Sequence, residues 1–83
     1  MVILHFTADW CRPCQQIKPI VASFIDGNSN IEYNLINVDH YPDMAKELSV
    51  LSVPTLLFVD ENGVVKHRHI GLITTDQLKE YIK

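Results

Sequence analysis

The sequence predicts an α/β protein in which a mixed β-sheet is covered by helices. Apolar runs typical of strands alternate along the chain with segments whose apolar residues recur every three or four positions, as in helices. The resulting order is strand, helix, strand, short helix, strand, strand, helix. The first three elements predict a right-handed crossover between parallel strands, and a later Asn-Gly turn predicts an antiparallel hairpin, so the sheet is expected to contain both pairings.

The first half of the chain supplies the crossover unit. Residues 2–6 form a short apolar run that is typical of a buried strand. The following helix carries Pro19 in its interior, and Gly27 is expected to end it. Residues 31–38 are rich in β-branched and apolar side chains and predict the second strand. The apolar face of the helix is formed by Ile17, Ile20, Val21, Phe24 and Ile25.

A short helix is predicted after the second strand. Pro42 suits its first turn, because proline lacks the N–H group that this position leaves unpaired. The helix is expected to run to about residue 48, with Met44 and Leu48 on its buried side. The Val53-Pro54 pair then separates this helix from the third strand.

The last part of the chain predicts a hairpin and a final helix. Residues 55–59 and 64–70 flank the Asn-Gly turn, and Gly71 marks the end of the hairpin. Thr74 and Gln77 have the spacing of a capping box at the start of the last helix.

Length, composition and charge predict a single domain without a nucleic-acid or membrane role. The 83 residues suffice for one hydrophobic core, so residues 1–83 are predicted to form one domain and a monomer. A net charge of -3 argues against nucleic-acid binding, which needs a basic surface. The longest apolar run, residues 56–59, is too short for a bilayer, and the amino terminus lacks signal-peptide features. We therefore expect a cytoplasmic protein.

Two cysteines, separated by two residues, lie just after the first strand and begin the first helix. Side chains three apart in a helical turn have Cβ atoms about 5–6 Å apart, so Cys11 and Cys14 are within reach of a disulfide. The helix amino end and the cation of Arg12 favour a thiolate at Cys11, while Pro13 keeps the turn rigid. The motif predicts that Cys11 attacks a substrate disulfide and that Cys14 resolves the mixed disulfide.

The same cysteine spacing also occurs in metal and haem sites. Half of a zinc site is present, but His5, His40, His67 and His69 do not have the spacing of further ligands. Haem attachment needs a histidine directly after the second cysteine, where this chain has Gln15. We expect no metal and no cofactor other than the redox-active cysteine pair.

These features together resemble the thioredoxin family over nearly the whole chain. Residues 10–14 match its W-C-x-P-C motif, residues 53–55 its cis-proline loop, and Pro19 and Gly71 its helix proline and the glycine beyond its hairpin. The resemblance implies a thioredoxin fold, with strand order 2-1-3-4 flanked by three helices and a cis Val53-Pro54 bond. It also implies a substrate-docking rim around Cys11, formed by Trp10, Val53, Pro54, Ile70, Gly71 and Leu72.

The resemblance further implies partners for this protein. Implied partners are disulfide-containing client proteins, ribonucleotide reductase among them, and an NADPH-dependent thioredoxin reductase.

The chain starts at what would be the family's central strand, as in compact phage and bacterial versions. His5 stands where the family has a buried acidic residue, Leu35 where a lysine is common, and Arg12 where glycine is usual. His5 is therefore a candidate proton acceptor for Cys14, or a buried structural histidine.

The sequence is also compatible with two alternative functions. A glutaredoxin-like enzyme would exchange with glutathione, although Arg12-Pro13 and the single Gly71 differ from the aromatic residue and paired glycines usual in that class. An interaction module would use the same fold as an adaptor, with dispensable thiols. The protein disulfide reductase is the function that the motif favours.

Overall fold

The computed structural model describes residues 1–83 and contains one four-stranded sheet with three helices. The elements are β1 (Val2–Thr7), α1 (Arg12–Asp26), β2 (Glu32–Asn37), α2 (Pro42–Glu47), β3 (Thr55–Val59), β4 (Val65–Ile70) and α3 (Thr75–Tyr81). The strand order is β2-β1-β3-β4. β1 and β2 are parallel, and β3 is antiparallel to both β1 and β4. The predicted fold class and strand order are confirmed. None of the helices has the length and apolar character needed to cross a membrane.

One face of the sheet packs against α1 and α3. The apolar face of α1 buries Ile17, Val21 and Phe24 in a cluster that includes Ile3 of β1. The helix ends at Asp26, directly before glycine, as the sequence predicted. Because alternate residues of a strand share a face, His5 and Thr7 lie on the same side of β1 as Ile3, the side that faces α1. This arrangement places both polar side chains in the layer beneath the helix that begins with the cysteines.

The other face of the sheet packs against α2. Phe6 of β1 and Ala45 of α2 belong to a second buried cluster, against which Leu48 is partly buried. The expectation that Met44 would be buried is wrong, since its side chain is 37% exposed. The six-residue helix turns the face centred on Ala45 and Leu48 toward the sheet, because the small alanine allows the helix to approach closely.

The local signals in the last third of the chain are confirmed. Asp60 Oδ1 accepts the backbone N–H groups of Asn62 and Val64, each at 2.9 Å, which closes the turn of the hairpin. The side chain of Thr74 accepts the backbone N–H of Gln77, and the Gln77 side chain accepts the backbone N–H of Thr74. This capping box starts α3 where the sequence predicted.

Candidate active site

The cysteine pair lies where β1 leads into α1. Cys11 and Cys14 are joined by a disulfide, with 5.3 Å between their Cα atoms. Cys11 is the N-cap of α1 in an extended conformation, and its sulfur accepts the backbone N–H of Cys14 at 3.2 Å. An N–H group directed at this sulfur stabilises negative charge there. Cys11 is 5% exposed and Cys14 is fully buried, so Cys11 is the more accessible sulfur.

Arg12 and Pro13 occupy the first turn of α1 between the two cysteines. Both residues are exposed. The ion pairs of the structure join Lys66 to Asp60 and Lys83 to Glu80, so the guanidinium of Arg12 is not neutralised by a carboxylate. Pro13 lacks an N–H group, and its fixed φ suits the first turn of a helix.

Trp10 is hydrogen-bonded to the polar segment that directly follows β2. Its indole Nε1 donates to Asp39 Oδ2 at 2.9 Å, while its side chain stays 71% exposed. Asp39 in turn donates its backbone N–H to Asn37 Oδ1 at 2.9 Å. Asn37 Nδ2 donates to Asp9 Oδ1 at 3.3 Å. Neighbouring parallel strands end at the same edge of the sheet, so residues after β1 and after β2 meet there.

The cis-proline loop brings one of the predicted docking residues, Val53, to the cysteines. The Val53-Pro54 peptide bond is cis, and Val53 packs against the cluster formed by Ala8 and the two cysteines. The N–H of Gly71, which has φ +93°, donates to the carbonyl oxygen of Pro54 at 3.0 Å. This bond joins the end of β4 to the cis-proline loop. Ile70 and Leu72, on either side of Gly71, are 62% and 59% exposed.

A groove of about 160 Å³ lies between Trp10 and the loop before the cis bond. Most of its lining is apolar, and Leu51 in this lining is 95% exposed. Trp10 and Val53 were predicted from the sequence as docking residues, whereas the remaining lining residues were not; these are Val38, Val50, Leu51 and Ser52. The short loop at residues 50–53 gives no sequence signal for this groove, because the groove forms only when the loop lies beside Trp10.

His5 is fully buried in the layer beneath α1. Its Nδ1 is 2.7 Å from the hydroxyl oxygen of Tyr33, and the two rings are stacked with centroids 5.9 Å apart. Burial, and to a smaller extent the positive charge of Lys18, together lower the pKa of His5 to about 4. Burial also raises the pKa of the Tyr33 hydroxyl to about 12. The imidazole is therefore neutral near pH 7.

The second ring nitrogen of His5 has no hydrogen-bond partner. The same holds for Thr7 Oγ1, two residues further along the same face of β1. Neither cysteine is hydrogen-bonded to His5 while the disulfide is closed. Among the other histidines, His69 bonds to Tyr81 and His67 packs against the same ring. No group of three or more His, Cys, Asp or Glu side chains is arranged to hold a metal ion.

Comparison with known proteins agrees with this geometry. The family model described as Thioredoxin matches residues 1–83. The chain belongs to the thioredoxin family. Thioredoxin H2 of Arabidopsis thaliana is 34% identical over 71 residues, which cover 86% of this chain and 53% of that protein. Thioredoxin of Mycoplasma genitalium is 39% identical over 72 residues, which cover 87% of this chain and 70% of that protein.

Solved thioredoxin structures share the fold. The crystal structure of mitochondrial thioredoxin 3 from Saccharomyces cerevisiae, in its oxidised form, superposes with a TM-score of 0.88 and 28% identity. The match covers 98% of this chain and 76% of that one. This thioredoxin-family chain spans about half of the length of Thioredoxin H2.

Proposed function

We propose that the protein is a thiol-disulfide oxidoreductase that reduces disulfides in client proteins. The observation that carries the proposal is the sulfur of Cys11 at the start of α1, which accepts the N–H of Cys14 and is disulfide-bonded to it. The Cys11 thiolate attacks one sulfur of the client disulfide, forms a mixed disulfide and releases the other client sulfur as a thiolate. Cys14 then attacks Cys11, releases the second client sulfur and leaves the closed disulfide. Two electrons pass from the cysteine pair to the client.

The surfaces around Cys11 support a docking function. Trp10, Ile70 and Leu72 expose large apolar side chains, and the turn that carries Ile70 and Leu72 is joined to the cis-proline loop. Val53, which packs against the cysteine cluster, and Pro54, whose carbonyl oxygen accepts the N–H of Gly71, belong to the same rim. An apolar client segment beside its disulfide would bury surface here, at about 25 cal/mol per Å² of apolar area.

The partners and compartment form part of the proposal. An NADPH-dependent thioredoxin reductase is the proposed electron source, and ribonucleotide reductase is one proposed client. We place the single-domain monomer in the cytoplasm, because a dithiol reductant is recharged where the surrounding thiol pool is reducing. The yeast relative is named a mitochondrial protein, so members of this family also occur in another compartment.

An insulin-reduction assay tests this function. The purified protein is supplied with electrons either from NADPH and thioredoxin reductase or from glutathione and glutathione reductase. We expect insulin to be reduced with the first source, and the Cys11→Ser/Cys14→Ser double variant to be inactive. Reduction with the glutathione source alone would support a glutaredoxin-like enzyme. No reduction with either source would favour the adaptor function, and a double variant that keeps its biological effect would establish it.

A further inference from the structure

The buried pair formed by His5 and Tyr33 joins β1 to β2 beneath α1. The 2.7 Å bond between His5 Nδ1 and the Tyr33 hydroxyl is the one hydrogen bond of this imidazole. The two rings are close to parallel, with an interplanar angle of 17°. Tyr33 is partly exposed on the edge strand β2, whereas the imidazole of His5 is fully buried.

Two arrangements of hydrogen atoms satisfy this bond. If the Tyr33 hydroxyl donates to Nδ1, then Nε2 of His5 carries a hydrogen that has no acceptor in a fully buried site. If Nδ1–H donates to the Tyr33 oxygen, then Nε2 carries only a lone pair, and the tyrosine hydrogen is free to turn toward solvent. Buried N–H groups without a partner are rarer in proteins than unpaired acceptors. The second arrangement is therefore favoured.

We propose that Tyr33 is a positioning residue that holds His5 in the Nδ1–H tautomer, so that Nε2 accepts the proton of the Cys14 thiol during resolution. The proposal rests on the proposed reductase function. Cys14 has no proton to give in the closed disulfide, so the transfer belongs to the mixed-disulfide state.

The proton and electron balance of this step is complete. The Cys14 S–H bond breaks, Nε2–H forms, and the Cys14 thiolate attacks Cys11 and displaces the client thiolate. The imidazolium keeps its Nδ1–H bond to the Tyr33 oxygen, which becomes a charge-assisted hydrogen bond. After the client leaves, the imidazolium returns its proton to water.

The surroundings explain why the tyrosine oxygen matters. α1 contributes the positive charge of Lys18, which opposes a positive imidazole. The strand neighbours of His5 are the apolar Leu35 on β2 and Leu56 on β3, so neither stabilises the charged ring. Tyr33 alone supplies an acceptor to the protonated His5. Its hydroxyl should therefore raise the basicity of His5 relative to a site without it.

Tyr33→Phe tests the proposal because it keeps the stacked ring and removes the hydroxyl. Reduced protein is mixed with a symmetric nitroaromatic disulfide, and release of the first and second aromatic thiols reports attack by Cys11 and resolution by Cys14. We expect resolution to slow by about tenfold, which is below the ~10²–10⁴-fold range for loss of a general base, while attack is unchanged. Tyr41→Phe, which removes an exposed hydroxyl with no hydrogen bond in the structure, is the matched control.

Two further measurements distinguish positioning from packing. In a His5→Ala background, Tyr33→Phe should slow resolution no further; an undiminished effect would overturn the proposal. Nitrogen NMR of His5 in the wild-type protein should show hydrogen on Nδ1 and a lone pair on Nε2, and the opposite tautomer would contradict it. This spectrum does not depend on activity, so the hydrogen-bonding claim is judged even if the protein reduces no disulfide.

Discussion

His69 donates the hydrogen of its Nε2 to the carbonyl oxygen of Leu72, with 2.7 Å between the two atoms. A carbonyl oxygen can only accept, so in the neutral ring Nδ1 carries a lone pair. That nitrogen accepts the hydroxyl hydrogen of Tyr81 at 2.8 Å. One imidazole therefore links the exposed turn at residues 70–72, part of the proposed docking rim, to α3.

We expect His69→Ala to weaken client docking without slowing the chemistry. The variant loses the hydrogen bonds to Leu72 and Tyr81, and loss of the bond to the turn, at about 0.5–1.5 kcal/mol, corresponds to a rise in KM of about two- to tenfold, with kcat nearly unchanged. Insulin-reduction kinetics give both constants. His67→Ala is the matched control, because its ring also packs against Tyr81, with centroids 5.2 Å apart, but makes no bond to the turn. A fall in kcat at unchanged KM would contradict a docking function.

Arg12→Gly should make the protein less oxidising. Arg12 directly follows Cys11 in the sequence. Its unpaired guanidinium stabilises the Cys11 thiolate, which favours the reduced form. An exposed charge has a small effect, so we expect the reduction potential to fall by on the order of 10–20 mV, and less at high salt. A glutathione redox titration measures the shift, with Arg12→Lys as the charge-preserving control. Equal potentials for all three proteins would mean that the cation is fully screened.

His5 should make folding stability depend on pH. Its pKa is about 4 in the folded protein, and about 6.5 in an unfolded chain. Between these values the unfolded chain binds more protons, so stability decreases as the pH falls from about 6.5 toward 4. The full effect is on the order of 3 kcal/mol. Urea unfolding across this pH range should show this loss in the wild type and a flatter profile in His5→Gln. If the stability of the wild type and of His5→Gln changed in parallel with pH, the pH dependence could not be assigned to His5.

Most of the fold was predictable because its signals are local. The capping box of Thr74 and Gln77 needs only a spacing of three residues, and the hairpin needs only its turn. The error at Met44 arose because a helix of six residues has too few apolar positions to define its buried side. Packing against the sheet, rather than helical spacing, selected Ala45.

The site was less predictable, because several of its contacts join residues far apart in sequence. The cysteine spacing is local, and the structure places Cys11 at the start of α1 as predicted. The bonds of Trp10 to Asp39 and of His5 to Tyr33 span 29 and 28 positions, respectively. Their partners look like ordinary surface and strand residues in the sequence. Only the parallel pairing of β1 and β2 brings them together.

The central claim is that Cys11 attacks the client and Cys14 resolves the mixed disulfide. Trapping with Cys14→Ser tests it most directly, because this variant keeps the attacking thiol and loses the resolving one. The reduced variant is incubated with a disulfide-containing protein, and mass spectrometry locates the covalent adduct. We expect a stable mixed disulfide on Cys11 that the wild type does not accumulate. An adduct that forms on Cys14 in the reciprocal Cys11→Ser variant, with none on Cys11, would contradict the account.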